Sequence, residues 1–265
     1  MRRSRTRQDW LTALGCGLVL YATGTACTKK EESPSSAPAA AAPAPGAPGA
    51  AATPPPAANA IKGTVKLNGA APEMKMLKRE ADPYCGRVQM KDEEVIVSPS
   101  GGLKNVLVRI TKGVTGTYAA PATPASIDQT DCMFRPRVQG IMAGQPLTVR
   151  NGDQTLHNVH TYKGASTIFN QAEIPGLPPM VKKFDGPSSI VKFKCDVHPW
   201  MTGYVAVTDH PFFAVTGDDG SFTIPNVPAG TYTIEAWHER FGSTTADVKV
   251  SADKPGAVDL TLVAR

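Results

Sequence analysis

From residue 61 to residue 265 the apolar residues fall in short runs bounded by Gly, Pro, Asn and Asp, and never in a long pattern of helical period. The runs are "IKGTVKL", "EEVIVS", "NVLVRIT", "QPLTVRN", "SSIVKFK", "GYVAVT", "GSFTI", "GTYTIEAW", "TADVKV" and "VDLTLV". Short alternation of this kind buries one face of a strand and wets the other, so the chain is read as all-β, sandwich-like and antiparallel. Pro175, Pro178 and Pro179 make the stretch 168–183 an irregular loop rather than a helix.

What precedes these runs cannot fold the same way. Arg2, Arg3, Arg5 and Arg7 lead into an apolar stretch, Leu11 to Ala26, too short and too interrupted to span a bilayer comfortably, which is the pattern of an export signal. It closes on "ATGTAC", similar to the cleavage box of bacterial lipoproteins, although Gly24 stands where that box has Leu. Cys27 is therefore the expected lipidation site, and the expected location is the periplasmic or cell-surface side of a bacterial membrane. From Ser33 to Ala60 the chain is nearly all Ala and Pro, a composition with nothing to bury. At ~3.1 Å per residue such a tether reaches about 85 Å.

The precursor carries a net charge of +5, and the four arginines and one aspartate of the leader leave the remainder at only +2. No basic footprint points to nucleic acid. Beyond Cys16 in the leader and Cys27, three cysteines remain in an exported body: Cys85, Cys132 and Cys195. One thiol is odd. A Cys85–Cys132 disulfide that leaves Cys195 free is the preferred pairing, because Cys195 alone has metal-type neighbours.

Those neighbours lie in "KCDVHPWMTGYVAV", residues 194–207. Upstream, "FRPRVQGIMAGQPLTVRNGDQTLHNVHTY" contains Phe134, Pro136, a Gly turn at 144, a strand running into Asn151 and Asp153, and His157-Asn158-Val159. His157, Cys195, His198 and Met201 together offer one soft thiolate, two imidazoles and a thioether. That set accommodates Cu(I) and Cu(II) with little rearrangement. Three of the four share one tight turn, which Pro199 stiffens. The plainer readings are a buried cysteine acting as a small hydrophobe beside a His-Pro turn, and a catalytic Cys/His pair, for which no orienting residue or oxyanion site is evident.

This ordered His, Cys, His, Met pattern closely resembles the cupredoxins, the small type 1 blue copper proteins, over about 100 residues. The resemblance implies a Greek-key sandwich, one copper ion held by His157, Cys195, His198 and Met201, and single-electron exchange with a redox protein such as a cytochrome or a copper or quinoprotein enzyme. It further implies that Asn158 ties the His157 segment to the Cys195 loop. Trp200 has two readings, core beneath the loop or a shield and docking patch beside His198. His198 is read as the exit ligand, since its loop sits near the surface. His160 should face away from His157 on an extended strand, and His210 and His238 could converge on a second metal or be ordinary strand-end residues.

Residues 211–265, by "GDDGSFTIPNVPAGTYTIEAW", resemble the carboxypeptidase regulatory-like β-sandwich, a structural or binding accessory. The expected divisions are a signal at 1–26, a tether at 27–60, an N-terminal β segment at 61–102, a copper module at 103–208 and a second, smaller antiparallel β-sandwich at 209–265. "GTVKLNGAAP" looks like the first strand and turn of the latter type, so insertion of one module into the other is open. The functional expectation is a tethered, non-enzymatic electron carrier. Copper storage or delivery, and a structural surface module without a redox role, are the alternatives.

Overall fold

The computed structural model describes residues 59–187 and 189–264; the leader, Cys27 and nearly all of the tether lie outside the described residues. The fold is all-β. Among the described residues the one helical element is a 3-10 turn at Cys85–Arg87, and no helix is long and apolar enough to cross a membrane.

One sandwich is built from two sheets. The first runs Val138–Met142, Thr202–Thr208, Ser189–Lys194, His157–Lys163, Ser166–Glu173, and the second Met133–Arg135, Ala125–Thr130, Leu147–Asn151, Met180–Lys182. Alternating residues such as Val191, Phe193, Val205 and Val207 meet Ile127, Phe134, Leu147 and Val149 in a single apolar core. Ala125–Thr130 and Met133–Arg135 are joined by Asp131 and Cys132, both in the left-handed region at φ 53°. That two-residue form matches the twist of a hairpin.

The other sandwich is discontinuous in sequence. Ala60–Asn68 pairs antiparallel with Ser221–Pro225 and parallel with Gly256–Ala257 and Leu260–Val263. Facing it, Leu107–Lys112 lies between Phe213–Val215 and Gly230–His238, which pairs in turn with Gly242–Val250. Ile61, Val65, Leu103, Val108, Ile234 and Val250 share its core.

Strand pairing therefore crosses the boundary drawn at residue 103, because Val106, Val108 and Ile110 are buried with residues 222–262. The sheets are also mixed rather than purely antiparallel: Val138–Met142 runs parallel to Thr202–Thr208, and Ala125–Thr130 parallel to Leu147–Asn151. Of the sequence runs, 93–98 forms only an isolated bridge, Val97 to Leu103. Ser166–Glu173 forms a strand that the apolar pattern does not announce, since nearly all of it is exposed.

The two sandwiches are locked to each other. Tyr204 and Trp237 meet edge to face at 5.2 Å, and a Cβ on Gly140 would stand 2.3 Å from the ring of Phe213. Arg137 and Glu239, at 5% and 7% side-chain exposure, form an ion pair of 2.7 Å. Burial pushes the Arg137 guanidinium down, but the Glu239 carboxylate outweighs it and holds the net shift upward. Removing one partner leaves a stranded charge. Arg137→Met should therefore lower unfolding free energy by about 3–5 kcal/mol in urea denaturation; an unshifted midpoint would refute this role.

His238 is buried and its Nδ1 accepts the backbone N–H of Arg240 at 3.2 Å. Burial, with help from the nearby Arg137, lowers its pKa to about 4. The unfolded chain takes up this proton near pH 6.5, and the folded chain only near 4, so stability is full above 6.5 and falls as the pH drops through that window. The loss should reach about 3 kcal/mol, and thermal melts of His238→Gln should show a flatter slope between those pH values.

Candidate metal centre

Cys195, His198 and Met201 sit on the loop between Ser189–Lys194 and Thr202–Thr208, two strands of one antiparallel pair. The loop is closed on itself: Cys195 N–H donates to the Met201 carbonyl at 3.3 Å, and Met201 N–H donates to the His198 carbonyl at 2.9 Å. His157 opens the adjacent strand of the same sheet. Pairing of Lys194 with His160 brings that strand end beside the loop.

Ligand atoms of His157, Cys195 and His198 lie within 4.8 Å of one another. Nδ1 of His157 is 2.9 Å from Nδ1 of His198, and the Cys195 Sγ is 3.8 Å from Nδ1 of His198. His157 and Cys195 are completely buried, His198 is 2% exposed, and Met201 is completely buried in the same core.

Each imidazole is held from behind by a carboxylate. His157 Nε2–H donates to Asp153 Oδ2 at 2.9 Å, and His198 Nε2–H donates to Asp82 Oδ2 at 3.0 Å. These bonds place the ring protons on Nε2, so both Nδ1 atoms present lone pairs to the same point. Asp153 also accepts the N–H groups of Asp131 and Cys132, both at 2.8 Å. Burial would raise the Asp153 pKa, yet the bonds from His157 and those N–H groups outweigh it and keep the carboxyl ionised below its usual range. Burial likewise acts against Asp82, but Thr155, the Cys85 and Tyr84 N–H groups and His198 bring it down to about 2.

The sulfur is tuned the same way. Burial pushes the Cys195 thiol up, while the adjoining His157 and His198 rings and the Asn158 N–H pull it down further, to about 6. For His157, burial lowers the pKa, but Asp153 and Cys195 raise it by more. Asn158 N–H donates to Cys195 Sγ at 3.5 Å, and its side-chain Oδ1 accepts the Asp196 N–H at 2.6 Å. It thus joins the His157 strand to the Cys195 loop.

A thiolate and two bare imidazole nitrogens facing one another repel unless a cation lies among them. The donor set, one soft sulfur and two borderline nitrogens in a dry setting, fits a copper ion in chemistry and in number.

The remaining histidines are otherwise engaged. His160 Nδ1 is 2.9 Å from Asp196 Oδ2, and its Nε2 is 2.9 Å from Thr167 Oγ1. His210 Nε2–H donates to the Ile110 carbonyl, while its Nδ1 accepts the Phe212 N–H. With His238 Nδ1 also on the backbone, neither His210 nor His238 belongs to a metal-type group among the described residues. Trp200 is half-buried, its ring 5.1 Å from that of His198 and its Nε1–H donating to the Cys132 carbonyl. It packs against the core beneath the loop.

His198 is not the open edge that its loop position suggests. The segment running through Arg79, Asp82, Tyr84 and Cys85 covers it, and Cys85 Sγ is 3.7 Å from His198 Nε2. Cys85 and Cys132 form a disulfide with a Cα–Cα distance of 5.7 Å, and Cys195 is free. Asp82 and Asp153 escape a reading by ligand spacing because each bonds the Nε2 of a histidine, on the side away from the facing Nδ1 atoms; the one available signal is their turn context, "ADPYC" and "NGDQ". The disulfide closes a 47-residue separation. Its loss in Cys85→Ser/Cys132→Ser should cost about 2–5 kcal/mol in denaturant unfolding, and a change under half of that would contradict its structural role.

A family profile for the carboxypeptidase regulatory-like domain matches residues 204–263. This interval lacks Ala60–Asn68 and Leu107–Lys112, which complete that sandwich here. No curated protein sequence matches the chain. Among solved structures, a purple cupredoxin from Nitrosopumilus maritimus is 24% identical, over 32% of this chain and 99% of its own, with a TM-score of 0.28. Amicyanin from Paracoccus versutus is 20% identical over 38% and 96%, with a TM-score of 0.29. A copper-containing nitrite reductase from Thermus scotoductus is 19% identical over 38% of this chain and 26% of its own, at 0.30. With TM-scores below 0.5, these likenesses add nothing to the geometry above.

Proposed function

We propose that the protein is a type 1 copper electron carrier, in which His157 Nδ1, Cys195 Sγ and His198 Nδ1 would hold the ion and the Met201 thioether would be a further, weaker donor. The observation that carries this reading is the convergence of two bare imidazole nitrogens on a buried cysteine, with Asp153 and Asp82 fixing both rings from behind. Copper bound there supplies a Cu(I)/Cu(II) couple that exchanges one electron with a partner without binding a substrate.

The chain's own residues do the rest. Asp153 and Asp82 prevent ring rotation, so the ligand set keeps one shape in both oxidation states. Asn158 N–H at the sulfur withdraws charge from the thiolate and sets how strongly it donates. Burial excludes water, which lowers the rearrangement each transfer demands. Trp200, in contact with His198 and partly exposed, is the outlet toward a redox protein. Full burial also favours a carrier over a delivery protein, since a donor of metal must open its site to hand the ion on. The partner is proposed to be a cytochrome or a copper or quinoprotein enzyme. A lipid at Cys27 and the Ala/Pro tether would let the folded part travel between donor and acceptor at the membrane.

Copper-loaded protein should absorb intensely in the red through thiolate-to-copper charge transfer, and Cys195→Ser should abolish the band. A colourless wild type that binds copper no better than this variant ends the reading. Electron exchange with a cytochrome should run faster than copper transfer to an apo-acceptor, and the reverse order would favour storage or delivery. Cys27→Ser should move the protein from the membrane fraction to the soluble exported fraction; unchanged partitioning removes the lipid anchor from the proposal.

A further inference from the structure

The covering segment is anchored at four points, and one of them, Asp82, reaches His198. The Cys85–Cys132 disulfide fixes it to the hairpin turn beneath His157. Arg79, 1% exposed, donates to the carbonyls of Val88 and Asp131. Tyr84 OH donates to Asp153 Oδ1 at 3.3 Å. Asp82 Oδ1 accepts the N–H groups of Tyr84 and Cys85, at 2.7 and 3.1 Å, which leaves Oδ2 for Thr155 Oγ1 at 2.7 Å and His198 Nε2 at 3.0 Å. A segment needed only for packing would not direct the Asp82 carboxylate, through the oxygen left over from a capped turn, onto the distal nitrogen of His198.

We propose that residues 79–88 are a cap on the metal centre and that Asp82 is the positioning residue for His198, holding Nδ1 inward and barring water and small anions from the far edge of the ring. This deepens the carrier reading and rests on His198 being a ligand. Asp82 touches neither the metal position nor a substrate; it acts through His198. Its negative charge makes the imidazole a stronger donor, which favours Cu(II) over Cu(I).

The test uses the full chain with Asp82→Ala and Asp82→Asn, the latter keeping an oxygen for the Tyr84 and Cys85 N–H groups. In metal-free protein, diethylpyrocarbonate acylation of His198, mapped by mass spectrometry, should run at least ~10-fold faster in Asp82→Ala, while buried His210 reacts as in wild type. In copper-loaded protein, azide should shift the visible spectrum of Asp82→Ala and leave wild type unmoved. Asp82→Asn should show a higher reduction potential than wild type, a readout that packing alone would not move, and Asp82→Glu should restore it. Wild-type rates of His198 acylation in Asp82→Ala, or a potential unchanged in Asp82→Asn, would overturn the proposal. Loss of colour in every variant including wild type would instead sink the carrier reading, and the acylation rates would still decide the cap.

Discussion

Asp153 is the hinge of this architecture. One carboxylate accepts the N–H groups of Asp131 and Cys132 and the Nε2–H of His157, so a single buried charge pins a hairpin turn, a disulfide cysteine and the His157 ring at once. The arrangement is also self-compensating. Two consecutive left-handed residues cost free energy, roughly 1–3 kcal/mol each, and the same bonds that satisfy the carboxylate offset that strain. Without a charge at this place the turn would relax, and with it the Trp200 contact to the Cys132 carbonyl.

The ligand centre is built on sheet, not on freely moving loops. His157 begins a strand whose other end pairs with both neighbours, and the Cys195 loop closes a strand pair registered over six residue pairs. Rigidity of this kind costs entropy once, at folding, and thereafter holds the donor atoms of His157, Cys195 and His198 in one arrangement. The cost falls on the surrounding core, where Phe134, Phe184 and Phe193 stack edge to face beneath the loop.

Much of this was legible in the sequence, for a physical reason. Metal ligands must reach one point, and a seven-residue loop with Cys, His and Met at regular spacing leaves few ways to do so; His157 follows from the strand ending at Asn151. The all-β class was legible because alternation over short runs has no helical solution. Less visible were the partners held by shape rather than by pattern. Asp131-Cys132 is not a common hairpin pair, and its left-handed geometry depends on Asp153, 21 residues or more away. Asp82 reaches His198 across 116 residues, a contact no local spacing encodes. Ser166–Glu173 reads as polar chain because its partner covers only one edge and neither face is buried deeply. The boundary at 103 misplaced Leu107–Lys112 because an apolar strand fits either core, and only pairing with Gly230–His238 decides which.

The nested connectivity has a consequence for how the chain matures. Ile61 pairs with Ile224, and Val65 with Leu260, whereas the strands around the ligands all lie between Ala125 and Thr208. As the polypeptide emerges amino end first, the inner half can close before its last quarter exists. The outer half must hold its opening strand unpaired until the final residues arrive, so contacts of long sequence separation set the slowest step. The side chains of His157, Cys195 and His198 are thus brought together while the surrounding scaffold is still incomplete.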